Sequence, residues 1–445
     1  MQVVEAQEAS PPWGVERRRP AARPSQPPRR HGADLARSRA MAARLRLMIH
    51  RDPEPTEAQW HEMGMALWRG DPAADAVAHW MMAEGLGRAW PQVARCLSLA
   101  GTSAWAEADV PPALRHLVQQ VLALPPWLDE RRLRRGARVL QASGRMGMMV
   151  LRDAALMAGY QASAINQTLL RTGQLQRGAP RRVAETGQWW LACTEVDGLR
   201  PGAPGFELTL KVRLMHALVR VRLNAQPDWD RDSLGVPINQ LDMQATYLAF
   251  SVVQLLGLRL TGDLIARRDA DAVMHLWRYV GWLMGVDESL MCDDEQTGRV
   301  LLYRNLLSQA PSDESSVALG RALMDEPLAR PYRWGAAWRG RWDRACHLSL
   351  VRWFIGAAGM RNLGLPAVWP WYPLMCWLPR ALRSMSMLVL PPTRPFWRWW
   401  GRRQQEAYRQ AATPGPAHHV AGATPPRLIL AACADKRPVP AVNDA

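Results

Sequence analysis

The stretch Lys211-Val212-Arg213-Leu214-Met215-His216-Ala217-Leu218-Val219-Arg220 decides how this chain reads. Leu208, Val212, Met215, Val219 and Leu223 recur at helical spacing and make one apolar face. His216 sits on or beside that face, with Arg213, Arg220 and Arg222 around it. A histidine so placed is a hydrogen-bonded core residue, a surface-edge residue or a metal ligand, and spacing alone leaves the three open.

The same period continues on both sides. Segments near 180–195, 238–258 and 264–285 read as helices, and Met146 to Tyr160 is a methionine-rich apolar helix of the kind that fills cores flexibly. Thr56 is a natural N-cap before Glu57, and Asp71 with Pro72 starts another helix. After Pro237, Asn239 or Asp242 caps the next one. Gly281 and Gly285 on one helix permit close packing against a neighbour or a flat ring. Period-two strands are few and no repeat is evident, so the class is all-α. The expected organisation is one large helical domain over 36–410. A disordered basic arm, rich in Pro and Arg, precedes it at 1–35, and a Pro/Ala-rich disordered tail follows at 411–445.

With 445 residues and 48% hydrophobic content, the chain can bury a large core. The formal charge of +16 is almost all arginine, a balance that suits nucleic acid, an anionic membrane surface or only an arginine-rich genome. The six cysteines, at 96, 193, 292, 346, 376 and 433, form no C-x-x-C, which excludes zinc ribbons and thioredoxin-type redox motifs. No C-x-x-C-H occurs, so a covalent c-type haem is excluded as well. The spacing gives no disulfide framework, which suits a reducing compartment. Arg17-Arg18-Arg19 lacks a following apolar region, so no signal peptide is read and a cytoplasmic location is expected. The uncharged run from Leu363 to Pro379 carries four prolines and does not read as a spanning helix. Met243 to Leu258 is shorter and reads as buried core. Phe396-Trp397-Arg398-Trp399-Trp400-Gly401-Arg402-Arg403 suits a membrane interface, or a C-terminal helix packing its tryptophans inward. Without a nucleic-acid fold motif, no nucleic-acid partner is expected.

Arg182-Val183-Ala184-Glu185-Thr186, followed by a histidine on an R-x-R-L-M-H-A-x-V-R helix, resembles the catalytic core of the rubber oxygenases. These are the latex-clearing proteins, grouped with the fungal MpaB oxygenases. The interval from Arg182 to His216 is 34 residues (216 − 182). Asp71-Pro72-Ala73-Ala74-Asp75-Ala76, Leu169 to Leu175, Gly235 to Met243 and His275 to Gly285 also resemble family segments, so the likeness is specific from about Asp71 to Leu290.

The resemblance implies an all-helical fold around a buried, non-covalent haem b, with His216 as the iron's proximal ligand. It implies an oxygenase that uses dioxygen to cleave a carbon–carbon double bond in an isoprenoid-like or other unsaturated lipid. Arg182 and Thr186 take the places of the family's arginine and threonine. Arg213 and Arg220, on the histidine's own helix, are natural propionate partners. His216 should donate its second ring nitrogen to a carbonyl or carboxylate, and His275 competes with it as a ligand. Two departures stand out. Glu185 replaces a lysine that can cap the iron in some relatives, and is expected to pair with Arg182 or face water. Asn166 or Gln167 falls where a family glutamate, proposed as a base, should be, which leaves Glu185 as a substitute base. Two other functions keep the scaffold: a haem sensor or carrier without turnover, and a cofactor-free interaction protein.

Overall fold

Capping chemistry starts the helices where the sequence places them. In the computed structural model, which describes residues 24–172, 179–332 and 334–412, Thr56 accepts from the Gln59 amide and closes a reciprocal capping box. Asp71 accepts from the Ala74 amide at 3.3 Å with Pro72 in the first turn, and Asn239 accepts from the Asp242 amide at 3.0 Å.

The helices that position the site are α1 (Leu35–Arg46), α2 (Pro72–Glu84), α3 (Glu130–Ala142), α4 (residues 144–159), α5 (Ser163–Arg171), α6 (Ala179–Cys193), α7 (Pro204–Asn224) and α8 (Gln240–Leu260). They continue with α9 (Arg267–Leu283), α10 (Glu295–Ser308), α11 (Glu314–Asp325), α12 (Ala336–Asn362), α13 (Trp371–Val389) and α14 (Arg394–Ala412). No strand occurs among the described residues. α9 packs along α3, α7 lies on α2 and α6, and α14 closes over α3, α4 and α6. Trp189 of α6 meets Phe250 of α8 and Trp277 of α9 at ring separations of 5.0 and 5.7 Å, which locks three helices together.

Two helices widen mid-length into π turns, α4 at Leu151–Leu156 and α8 at Ala249–Val253, and the two wide turns pack on each other. α8 is long and apolar enough to cross a membrane by composition, but 67% of its most apolar window is buried inside the fold, so it is a core helix. Met146, Met148 and Met149 are buried, as core filling requires.

The first π turn carries a buried polar network. Arg152 donates to Asp153 at 2.7 Å and to Glu326 at 3.1 Å, and Arg330 donates to Glu326 through Nε and Nη2 at 2.7 and 2.8 Å. His347 shares a 2.6 Å bond with Asp153, and its other ring nitrogen lies 3.3 Å from the Tyr408 hydroxyl.

The N-terminal arm is shorter than expected. Arg30 is buried and bonds Asp242 at 2.7 Å, and the Arg29 amide donates to the Asp232 carbonyl. Residues 24–34 therefore belong to the packed domain. Residues 1–23 and 413–445, which hold most of the expected arm and tail, lie outside the described residues.

Candidate functional site

α7 carries apolar residues on more than one side, and only one of these sides is fully covered. Phe206, Leu210, Leu214, Ala217 and Leu218 are buried. Leu208, Val212, Met215 and Val219, of the apolar face read from the sequence, are only partly covered. Leu223 alone of that stripe is buried. An apolar stripe left half open along a buried helix can line a slot for an apolar group.

His216 borders this stripe. Burial, with the Arg220 charge beside it, pushes its pKa down to about 4, so the imidazole is neutral and keeps a lone pair to offer. Its Nδ1 is buried without a hydrogen-bond partner, and its ring bonds no protein group among the described residues. The expected second-nitrogen partner is thus not found among them. Three other described histidines are not exposed, and all three are satisfied at both nitrogens. His31 meets the Ser308 hydroxyl at 2.8 Å and the Trp60 carbonyl at 3.0 Å. His275 meets Asp293 at 2.8 Å and accepts from the Asp129 amide at 3.0 Å. His347 is closed by Asp153 and Tyr408. An unpaired buried polar atom costs about 1–3 kcal/mol, so His216 stands out on energetic grounds. His275, the competing ligand by sequence, has no free nitrogen.

α6 and α7 form an antiparallel hairpin, pinned near its loop. Trp189 donates to the Thr209 hydroxyl at 3.0 Å, and the Cys193 thiol lies 3.4 Å from the same oxygen. From this pin, His216 is seven residues along α7 (216 − 209) and Arg182 seven back along α6 (189 − 182). Seven residues are about 10.5 Å of helix and nearly two full turns, so both return to the pinned faces at the same height. Thr186 shares that face of α6, is solvent-exposed, and bonds no protein group through its hydroxyl among the described residues. Arg182 stacks over the Tyr160 ring at 5.6 Å and has no carboxylate partner among the described residues. By this spacing Arg182 and Thr186 fall on the face of α6 that carries the pin, and no hydrogen bond joins either of them to His216 among the described residues.

Arg213 and Arg220 are committed elsewhere. Arg213 makes a two-pronged bond to Asp71 at 2.7 and 2.9 Å and donates to the Leu283 carbonyl at 3.2 Å. Arg220 holds Asp75 at 2.8 Å and the Ile238 carbonyl at 3.0 Å. These bonds replace the propionate contacts expected for both residues and make them struts between α7 and α2. Gly285 explains part of the fit: its φ is +81°, and a Cβ there would sit 2.4 Å from the Asp71 carboxylate. Gly281 is covered by Met291 and Tyr247, so neither glycine faces an open ring slot. The sequence showed Asp71 as a cap and missed it as an ion-pair partner. The available signal was the carboxylate pair Asp71/Asp75 one turn apart on α2, matching two buried arginines on α7.

Glu185 pairs with Arg181 at 2.7 Å and is half exposed, so the expected partner Arg182 is replaced by its neighbour one position earlier. Asn166 is buried and donates to the Tyr160 carbonyl and the Ser315 hydroxyl, which pins α5 to α11. Gln167 donates to Asp313 and accepts from Arg171. Neither reaches the hairpin face. A small cavity lined by Leu133, Cys193, Leu276 and Tyr279 lies at the loop end of the hairpin and does not border His216.

No group of three metal-ligating side chains occurs among the described residues. A lone neutral histidine suits only a metal that brings its other ligands with it, as a haem does. The neutral histidine and the half-open apolar stripe fit that group.

Residues 139–385 match the family described as ER-bound oxygenase mpaB/B'/Rubber oxygenase, catalytic domain. This match begins later than Asp71 and runs past Leu290, where the sequence motifs fade. A rubber oxygenase from Streptomyces sp. (strain K30) is 27% identical over 234 residues, which is 50% of this chain and 56% of that protein. The chain thus matches about half the length of this relative. The structure of latex clearing protein LCP in the closed state superposes with a TM-score of 0.50 at 19% identity, covering 83% of this chain and 90% of that one. That likeness shows the helical fold.

Proposed function

Since the chain belongs to the family of ER-bound oxygenase mpaB/B'/rubber oxygenase catalytic domains, we propose that it is a haem b-dependent oxygenase. Its substrate is an isoprenoid-like or other unsaturated lipid, cleaved at a carbon–carbon double bond with dioxygen as oxidant. One observation carries this reading. Of the described histidines that are not exposed, only His216 leaves its ring unbonded, and it does so beside a half-open apolar stripe at the height of Arg182.

Haem, when bound, supplies an iron that takes up dioxygen. The chain supplies the surroundings. His216, kept neutral by burial, would offer a nitrogen lone pair to hold the iron. Val212, Met215 and Val219 give an apolar wall that excludes water and suits a lipid chain. Arg182, stacked on Tyr160 and without a carboxylate partner among the described residues, would hold a propionate. The Thr186 hydroxyl can donate toward the same space. Arg213 and Arg220 act through α7, whose bearing against α2 they fix, and so are positioning residues. Glu185, the one carboxylate on α6, is left as the base, tempered by Arg181. It is not expected to ligate iron, so external imidazole or cyanide should bind without displacing a protein ligand.

The test is direct. Protein expressed with haem supplied should be coloured, acid–acetone should carry the haem into the organic layer, and oxygen should be consumed with polyisoprene oligomers or squalene. A colourless protein would sink the reading, whereas a coloured one that consumes no oxygen would be a carrier or sensor.

A further inference from the structure

We propose that α13, with the start of α14, is a docking face for an anionic lipid bilayer and lies flat in its interface. This stands apart from the haem reading, since it rests on a different surface.

α13 is built inside out. A surface helix of a water-soluble domain turns apolar residues inward and charges outward. Here the arginines point in. Arg380 and Arg383 both bind Asp263, the latter at 2.7 Å, and the Ser384 hydroxyl donates to the same carboxylate at 3.3 Å. The apolar residues point out: Leu378 is 60% exposed, Leu382 62% and Val389 66%. With Leu374 and Met385, also exposed, they recur three to four residues apart and form one stripe. The stripe continues onto α14, where Phe396, Trp399 and Trp400 are exposed, while Trp397 turns inward and donates to Ser386 at 3.0 Å. An apolar surface this continuous marks a partner.

Charge identifies the partner. From Ala345 to Gln405 there is no aspartate or glutamate, whereas eight arginines occur. Arg394 and Arg403 are exposed beside the stripe, the second stacked on Trp399 at 4.9 Å. A second copy of this chain would bring arginines against arginines, which opposes association. An anionic bilayer accepts both features: acyl chains take the leucines, headgroups take the arginines, and tryptophan rings favour the level between. The helix cannot span instead. Its middle is tied to the domain through Arg380 and Arg383, which bind Asp263.

The experiment is flotation of the full-length protein with vesicles of phosphatidylglycerol mixed with phosphatidylcholine, and with phosphatidylcholine alone. The wild type should float with the anionic vesicles and less well with the neutral ones, and salt should weaken the difference. Leu378→Ser/Leu382→Ser/Trp399→Ser should lower partition by roughly tenfold or more, because each buried apolar side chain is lost from the lipid contact. Arg394→Gln/Arg403→Gln should lower partition to the anionic vesicles by about fivefold per arginine and leave the neutral ones unchanged. The arginine pair carries the test if the apolar triple variant fails to fold. Failure of the wild type to float, equal flotation on both lipids, or a triple variant that floats like wild type would each overturn the proposal. So would a wild-type dimer that the triple variant converts to monomer, since the face would then be a protein interface.

Discussion

Two histidines, His347 buried and His216 partly buried, separate two regions of this molecule. His347, in the polar network at the π turn of α4, has Asp153 on one ring nitrogen and Tyr408 on the other. His216, on α7, has nothing bonded to its ring among the described residues. Burial depresses both pKa values, that of His347 with the help of Arg152 and Arg330. Low basicity is therefore no mark of function here. The mark is the unfilled valence. A network closed on itself rigidifies the fold, whereas a neutral donor without a partner is held ready for something the chain does not supply.

The first way to break this comparison is Glu326→Ala. It leaves Arg152 and Arg330 buried beside a lost carboxylate, and breaking such pairs costs about 3–5 kcal/mol. Urea unfolding should show a loss of that size with no specific effect on haem. A loss below about 1 kcal/mol would mean that the network is not the closed structural unit described.

Acid sharpens the contrast next. His31 is bonded at both nitrogens and His216 at neither, yet burial brings both from an ordinary 6.5 to about 4. Between those values the unfolded chain binds more protons than the folded one. Their contribution is therefore fully present above pH 6.5 and is lost as pH falls toward 4, by up to about 3 kcal/mol each. In haem-free protein, His216→Ala should remove its own share and keep that of His31. The stability gap between wild type and variant, followed by denaturant melts, should thus change over this window. A gap independent of pH would show that His216 is not buried and neutral.

At neutral pH the same His216→Ala variant should abolish haem retention, yet shift stability by only about 1 kcal/mol. The lost packing is offset by removal of an unpaired buried nitrogen. Haem content after gel filtration, read beside the urea midpoint, checks both halves. Haem kept at wild-type level would return His216 to the class of His347.

The smallest effect belongs to Glu185→Gln. The pair with Arg181 is half exposed and one helical turn long, so its loss should cost no more than about 0.5 kcal/mol. Haem should stay, and oxygen consumption should change. Unaltered consumption would remove Glu185 from the reaction.

Much of this was legible from local signals. Caps at Thr56, Asp71 and Asn239 form as the residue types demand, because an N-cap is decided within four residues. The helix span near 180–195 matches α6 within the usual end fraying. The side of α7 that faces the core was not legible. Periodicity finds an apolar stripe, but α7 is apolar on several sides, and only the neighbours α2 and α6 decide which side is covered.

The sequence by itself determined the helices, their caps, the all-α class and the Arg182–Thr186–His216 pattern, because each is set by spacing along one chain. Only the tertiary structure decided which charges are spent. Asp71 and Asp75 lie far from Arg213 and Arg220 in sequence, yet they consume both arginines and leave Arg182 without a carboxylate among the described residues. It also decided which histidine is unpaired, and that α13 faces its leucines outward. The physical reason is the same in each case. A hydrogen bond or an apolar contact between distant residues depends on where helices meet, and residue order does not encode that one pair at a time.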